Sequence, residues 1–167
     1  MILYLVRHAD AGDPSAWSGD DADRPLTPLG HRQAITLGES LKARGVTVGS
    51  IVTSPLVRAW ETAAELRDVL LPDGPEPEHC PLLAPEVGKR RKLCRFLEGV
   101  GAESVVAVGH APDIGDLAAW LIGADGGAIE MEKGAAVAIE FDEEPGKGDG
   151  QLLWAVNPLW FLPPEQG

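Results

Sequence analysis

Two uninterrupted apolar runs, each followed by a histidine, constrain the fold of this chain more than any other feature. The first run covers Ile2 to Val6 and leads into Arg7 and His8, and the second covers Ser104 to Val108 and leads into His110. A strand without polar alternation is typical of the centre of a parallel sheet that helices cover on both faces. We therefore expect two buried parallel strands with a histidine just beyond each.

Helical periodicity occurs in four further segments. Apolar residues repeat there at helical spacing, and serine, threonine or proline stands at most of the predicted helix starts. Helices are expected over Pro28 to Arg44, from Ser54-Pro55 to about Leu70, over Lys89 to Glu98, and from Pro112 to about Ile122. Additional strands are expected over Ser50 to Thr53, near His79 and Cys80, over Ala135 to Phe141, and over Gln151 to Val156.

The order of these elements predicts an α/β fold. Strands that alternate with helices form a mostly parallel sheet between helical layers, which gives a three-layer α/β/α sandwich. The turn-forming stretch Glu144 to Gly150 separates the last two strands and indicates an antiparallel C-terminal hairpin at the sheet edge. With 167 residues and no repeat or linker, the chain is expected to form a single domain over residues 1–167.

Charge and composition argue against several functional classes. A formal net charge of −12 opposes binding to nucleic acid, and the run Lys89-Arg90-Arg91-Lys92 is interpreted as the solvated face of a helix. The sequence contains no membrane span and no signal-peptide pattern. Cys80 and Cys94 have neither metal-ligand spacing nor the density of a disulfide framework. A cytoplasmic protein without a membrane or nucleic-acid partner is expected.

Several polar residues are expected to converge at one edge of the sheet, because ligands of parallel α/β sheets bind beyond the carboxyl ends of the strands. Arg7 and His8 follow the first strand, Arg58 lies in the first turn of the helix after the second, and His110 follows the fourth. Such a cationic cluster is unfavourable unless an anion binds it. The helix start after Ala111 adds N–H donors and partial positive charge.

Four short motifs resemble those of the histidine phosphatase superfamily, also called phosphoglycerate mutase-like, and occur in that family's order. They are Arg7-His8-Ala9, Arg24-Pro25-Leu26-Thr27 with Gly30, Thr53-Ser54-Pro55-Leu56-Val57-Arg58-Ala59 with Thr62, and Gly109-His110-Ala111-Pro112. The resemblance covers positions 2 to about 120. Within the superfamily, the short length, the Arg-Pro-Leu-Thr element and the His-x-Pro ending are most similar to the SixA-type phosphohistidine phosphatases.

The resemblance implies a role for each residue of the cluster. His8 would attack phosphorus and become transiently phosphorylated, Arg7 and Arg58 would bind the non-bridging oxygens, and His110 would stabilise the charge that develops on them. Imidazole is nucleophilic at neutral pH and guanidinium binds phosphoryl oxygens through paired donors, so this set needs neither a metal nor a cofactor. For Arg24, a contact with the pocket and a structural ion pair with a nearby Asp both remain open.

The sequence departs from the wider family at two positions. Ala9 stands where the family has glycine, and Leu83-Ala84-Pro85-Glu86 has proline where ester-cleaving relatives carry a carboxylic general acid. Glu86, or an Asp from the loop between Asp10 and Asp23, remains a candidate acid. An imidazole leaving group, with a pKa of about 6.5, departs without a proton donor, whereas an alkoxide needs one.

The expected function is therefore a phosphohistidine phosphatase that acts on a phosphorylated protein, such as a signalling carrier domain, and releases inorganic phosphate. Two alternatives remain open at this point. One is a small-molecule phosphomonoesterase of the same superfamily, and the other is a catalytically idle phosphate-binding interaction module.

Overall fold

The computed structural model describes residues 1–160. Its strands are β1 (Ile2–Arg7), β2 (Ser50–Thr53), β3 (Glu78–His79), β4 (Ser104–Gly109), β5 (Ala136–Glu140) and β6 (Gln151–Val156). Its helices are α1 (Pro28–Ala43), α2 (Val57–Leu70), α3 (Arg90–Gly99) and α4 (Asp113–Leu121), with short 3-10 turns between some elements. Within this part of the chain, none of the helices is long and apolar enough to cross a lipid bilayer.

The six strands form one mixed sheet in the order β3-β2-β4-β1-β5-β6. The first four strands along the chain pair in parallel, whereas β5 pairs antiparallel with β1 and with β6. All of β4 is buried, as its apolar run predicts. The predicted parallel sheet with an antiparallel C-terminal edge hairpin is confirmed.

Helices cover both faces of this sheet, because successive side chains of a strand point to opposite faces. Leu3 and Leu5 of β1 belong to the apolar cluster that includes side chains of α3 and α4. Tyr4 and Val6 belong to the cluster that includes side chains of α1 and α2. The three-layer α/β/α architecture is thereby confirmed, with α1 and α2 in one outer layer and α3 and α4 in the other.

Three helices begin later than the sequence predicted, α3 by one residue, at Arg90 instead of Lys89. Helix α2 begins at Val57 and not at Ser54-Pro55, because the Ser54 N–H continues the sheet by donating to the Val108 carbonyl at 3.0 Å. Helix α4 begins at Asp113, one residue beyond the predicted Pro112. The prediction that Ser54 caps α2 is therefore wrong. Thr27 does cap α1, since its Oγ1 accepts a hydrogen bond from the Gly30 N–H at 3.1 Å.

Helix α1 packs directly against the loop that follows β1. A β-carbon at Gly30 would collide with the Asp10 carbonyl oxygen, so only glycine permits this approach. The Asp10 N–H donates to Gln33 Oε1 at 2.8 Å, and the Asp10 carbonyl accepts from the Thr27 N–H at 2.9 Å. Helix α1 therefore fixes the backbone just beyond His8.

Candidate active site

The carboxyl ends of β2, β4 and β1 lie side by side at one edge of the sheet. Arg7 of β1 pairs in register with Gly109 of β4, and the His8 N–H donates to the Gly109 carbonyl at 2.9 Å. Arg58 lies in the first turn of α2, which follows β2. The structure thus places the three predicted segments next to one another.

His8 is held in one tautomer by its own backbone. Its Nδ1 lies 2.8 Å from the Ala9 carbonyl oxygen. A carbonyl oxygen only accepts hydrogen bonds, so Nδ1 carries the proton and Nε2 keeps its lone pair. His8 is 7% exposed, and the centroid of its ring lies 5.0 Å from that of the His110 ring. This arrangement suits a nucleophile that acts through Nε2.

Both histidines are neutral at physiological pH. Burial, followed by the positive charges of Arg58 and Arg7, lowers the pKa of His8 to about 4. Burial, followed by the neighbouring His8 and Arg58, lowers the pKa of His110 to about 3. An unprotonated His8 is the nucleophilic form. A bound anion would counteract the two arginine charges and make protonation of either ring easier.

The cluster contains buried side-chain nitrogens that have no hydrogen-bond partner in the part of the chain that the structure describes. Within residues 1–160, four buried side-chain nitrogens lack a hydrogen-bond partner, and three of them lie here: Arg7 Nε, Arg58 Nε and His110 Nδ1. Leaving one such group unpaired costs roughly 1–3 kcal/mol. A tetrahedral oxyanion presents several acceptors at once, so an oxyanion is the ligand that this site fits.

The two arginines also have protein partners. Arg7 donates from Nη1 to the Met131 carbonyl at 2.7 Å. Arg58 donates from Nη1 to the Asp21 carbonyl at 2.7 Å, and its Nη2 lies 3.1 Å from Asp21 Oδ2. These bonds fix the planes of both guanidiniums before any ligand arrives.

Asp21 joins Arg58 to a second arginine. Its Oδ1 lies 2.8 Å from Arg24 Nε, and Arg24 also donates to the Ala11 carbonyl at 2.6 Å. Of the two alternatives for Arg24, the structure thus contains the ion pair with a nearby Asp. The hydrogen bond from Arg24, followed by the charge of Arg58, lowers the pKa of Asp21. Asp21 is therefore an ionised carboxylate, a poor proton donor, and it partly neutralises Arg58.

Two hydroxyl groups hold residues of the cluster in place through hydrogen bonds. Ser54 Oγ lies 2.8 Å from His110 Nε2, which orients that ring. Thr62 Oγ1 accepts from the Ala9 N–H at 3.0 Å and donates to the Arg58 carbonyl at 2.7 Å, so it ties the nucleophile's loop to α2. The sequence predicted a helix-capping role for Ser54 and no specific role for the Thr62 hydroxyl. The spacing of Thr62, four residues and one helical turn after Arg58, was the available signal.

The two remaining candidate residues, Glu86 and Ala111, are exposed. Glu86 is exposed with a φ of 64°, and its N–H donates to Asp113 Oδ2 at 2.7 Å. Within residues 1–160, no hydrogen bond or ion pair joins the Glu86 carboxylate to the cluster. Ala111 is exposed beside His110, and helix α4, which was expected to begin directly after it at Pro112, begins two residues beyond it at Asp113.

Ala9, the first departure from the family motif, is compatible with its place. Of the described non-glycine residues only Glu86 has a positive φ, so the backbone at Ala9 does not need the freedom of glycine. Ala9 is fully buried, and both of its backbone polar groups are used, one by Thr62 and one by His8.

The two cysteines lie away from this chemistry. Cys80 and Cys94 are both buried free thiols. Burial raises the pKa of Cys94 to about 11 and also raises the pKa of Cys80. A thiol with a raised pKa is a poor nucleophile, so both cysteines act as packing residues.

Comparisons with known proteins agree with this geometry. A family model described as "Histidine phosphatase superfamily (branch 1)" matches residues 3–81. Phosphohistidine phosphatase SixA of Escherichia coli K12 is 32% identical, in a match that covers 95% of this chain and 94% of SixA. An uncharacterized protein of Picosynechococcus is 33% identical over 98% of this chain and all of its own length.

The fold is also that of SixA. A structure described as the protein histidine phosphatase SixA complexed with tungstate superposes with a TM-score of 0.81 and 28% identity, covering 95% of this chain and 98% of that chain. Fold, sequence and the arrangement of the motifs lead to the same assignment. The chain belongs to the histidine phosphatase superfamily.

Proposed function

We propose that this chain is a phosphohistidine phosphatase that dephosphorylates a phosphorylated protein through a covalent intermediate on His8. One observation carries the proposal. The Nδ1 proton of His8 is bound to the Ala9 carbonyl, and the unprotonated Nε2 lies in a cluster with two arginines and His110. The phosphatase class itself follows from the superfamily, whereas the phosphohistidine substrate and the residue roles are the proposal.

The proposed reaction has two in-line displacements. In the first, His8 Nε2 attacks phosphorus as the bond from phosphorus to the substrate ring breaks, and that ring, protonated on its other nitrogen, leaves as neutral imidazole. In the second, water attacks phosphorus, the bond to His8 breaks, and inorganic phosphate leaves, with the water proton passing to phosphate or solvent. Arg7 and Arg58 bind the non-bridging oxygens in both steps, and His110 stabilises their developing charge.

The arrangement of carboxylates favours phosphohistidine over phosphate esters. An alkoxide must be protonated by the enzyme as it leaves, whereas a phosphohistidine ring that carries a proton on its other nitrogen leaves as neutral imidazole, the conjugate base of an acid with a pKa of about 6.5. Asp21 contacts the cluster but is ionised and bound to two arginines, and within residues 1–160 the exposed Glu86 carboxylate forms no hydrogen bond or ion pair with any of the four residues. Neither carboxylate is placed as a proton donor.

Similarity to SixA supports a protein substrate. The match runs over nearly the whole length of both chains, and SixA is named as a phosphohistidine phosphatase. Its structure with tungstate contains a tetrahedral oxyanion of the kind that the unpartnered nitrogens of this site fit. Inorganic phosphate is the expected product.

A steady-state comparison of substrates tests the proposal. A peptide carrying one phosphohistidine is compared with a panel of sugar and nucleotide phosphates at pH 7. General acid catalysis contributes about 10²–10⁴-fold, so kcat/KM for the esters should fall below that for the peptide by about this factor. A His8→Ala variant, which should lose both activities, is the control.

The alternatives give different results. A clear preference for the esters would assign the chain as a small-molecule phosphomonoesterase. Tight phosphate binding without turnover of any substrate would make it an idle phosphate-binding module.

A further inference from the structure

The basic residues of this acidic chain are concentrated on one helix. Five of its 14 Lys and Arg residues lie on α3 or just before it: Lys89, Arg90, Arg91, Lys92 and Arg95. The chain as a whole has a net charge of −12, so subtracting these five charges leaves −17 on the rest. We call these five side chains the basic face.

The charges of the basic face are largely uncompensated. Lys89, Arg91, Lys92 and Arg95 are exposed. Arg90 is half-buried, and its Nη2 lies 3.7 Å from Asp116 Oδ2. In the part of the chain that the structure describes, that is the one ion pair formed by any of the five. Their positive potential is therefore directed at the solvent.

The basic face is continuous with the active site. An open groove along α3 is lined by all five residues of the basic face, together with Gly88 and Trp120. Gly88, Lys89 and Arg90 also line a cavity that reaches His110. The deeper wall of this cavity is apolar and includes Leu83, Leu93 and Ile114. A ligand lying along α3 would thus extend up to one of the residues proposed to stabilise the phosphoryl group.

We propose that the basic face is the docking surface for an acidic segment of the phosphorylated protein substrate. The proposal rests on the function proposed above and adds how a protein is selected. A negatively charged partner is repelled by most of this molecule and attracted here, which orients its approach. Docking on α3 then brings the neighbouring phosphohistidine to the edge where His8 and His110 lie.

Two matched peptides test this selection. Each carries one phosphohistidine in the same sequence, flanked by Asp and Glu in one peptide and by Asn and Gln in the other. Exposed ion pairs are individually weak, so three or more together should raise kcat/KM for the acidic peptide by about tenfold at low salt. Added NaCl should remove this preference, because exposed charges are screened.

The charge-neutralised variant Arg91→Gln/Lys92→Gln/Arg95→Gln locates the effect. These side chains line the groove and not the cavity at His110. The variant should lose the preference for the acidic peptide, mainly through a higher KM, while its kcat/KM for the amide-flanked peptide stays at the wild-type value. That unchanged activity also shows that the variant is folded.

A control variant removes the same charge from the opposite layer. Arg32→Gln/Lys42→Gln/Arg44→Gln changes three exposed residues on or just after α1, which packs on the other face of the sheet. This variant should keep the preference for the acidic peptide. Equal losses in both variants would mean a general charge effect and would overturn the docking surface.

The remaining outcomes separate the two proposals. Equal wild-type turnover of both peptides would reject the docking surface and leave the phosphohistidine phosphatase intact. Failure of the wild type to hydrolyse either peptide, with esters hydrolysed, would reject the proposed function and the docking surface with it. Inhibition by a single-stranded oligonucleotide that exceeds inhibition by the unphosphorylated acidic peptide would assign the basic face to nucleic acid instead.

Discussion

Asp21 is expected to compete with the phosphoryl group for Arg58. Its carboxylate contacts Arg58 Nη2 at 3.1 Å and Arg24 Nε at 2.8 Å, so a phosphoryl oxygen that binds Arg58 must share or displace this pair. Asp21→Asn removes the charge and retains the shape. The bond from Arg58 Nη1 to the Asp21 carbonyl, 2.7 Å long, survives the substitution, so Arg58 stays oriented.

The size of the effect follows from the exposure of Asp21. Its side chain is 54% exposed, so each ion pair is screened and contributes roughly 0.2–1 kcal/mol. Loss of the competing charge should therefore favour phosphate binding by about 1 kcal/mol, which corresponds to roughly a fivefold lower dissociation constant. The same loss should lower the free energy of unfolding of the ligand-free protein by a similar amount.

Competitive inhibition by inorganic phosphate measures this change. The control is Asp23→Asn, which removes the same charge from the same loop at an exposed residue. An inhibition constant for Asp21→Asn no lower than that for Asp23→Asn would refute the reasoning. A drop of more than tenfold in kcat of Asp21→Asn for an ester would also refute the reasoning, because it would mean that Asp21 acts as a proton donor.

Two further predictions concern stability. Because the folded-state pKa values of His8 (about 4) and His110 (about 3) lie below the unfolded value, the unfolded chain binds more protons below about pH 6.5. The free energy of unfolding, measured with urea, should fall by about 2 kcal/mol per histidine from pH 7 to pH 5. A free energy of unfolding that does not change over this range would contradict the lowered pKa values of both histidines. Thr62→Ala leaves the buried Ala9 N–H without its hydrogen-bond partner and should lower the free energy of unfolding by about 1–3 kcal/mol. Thr62→Ser retains the hydroxyl and is the control. Equal stability of the two variants would show that the hydroxyl bridge contributes nothing.

The sequence predicts the centre of the sheet well, because burial there leaves a simple pattern. The apolar run from Ile2 to Val6 and the run from Ser104 to Val108 became the adjacent strands β1 and β4. Residues just beyond the carboxyl ends of neighbouring parallel strands must lie close together. The meeting of Arg7, His8 and His110 at one edge therefore follows from local pattern and topology alone.

Tertiary hydrogen bonds explain what the sequence could not predict. The pair Ser54-Pro55 predicts a helix start. The Ser54 N–H instead donates a hydrogen bond to the Val108 carbonyl of β4, and α2 begins at Val57. The pair between Asp21 and Arg58 joins residues 37 positions apart and depends on how one loop folds over α2. No periodicity encodes such a contact.

The most direct test of the account is the position of the trapped phosphate. Mixing the protein with a phosphohistidine peptide and quenching in alkali should preserve the acid-labile intermediate. Because His8 Nδ1 is bound to the Ala9 carbonyl, mass spectrometry and ³¹P NMR should find the phosphate on Nε2 of His8. Phosphate on Nδ1 of His8, phosphate on His110, or undiminished turnover by His8→Ala would contradict the mechanism.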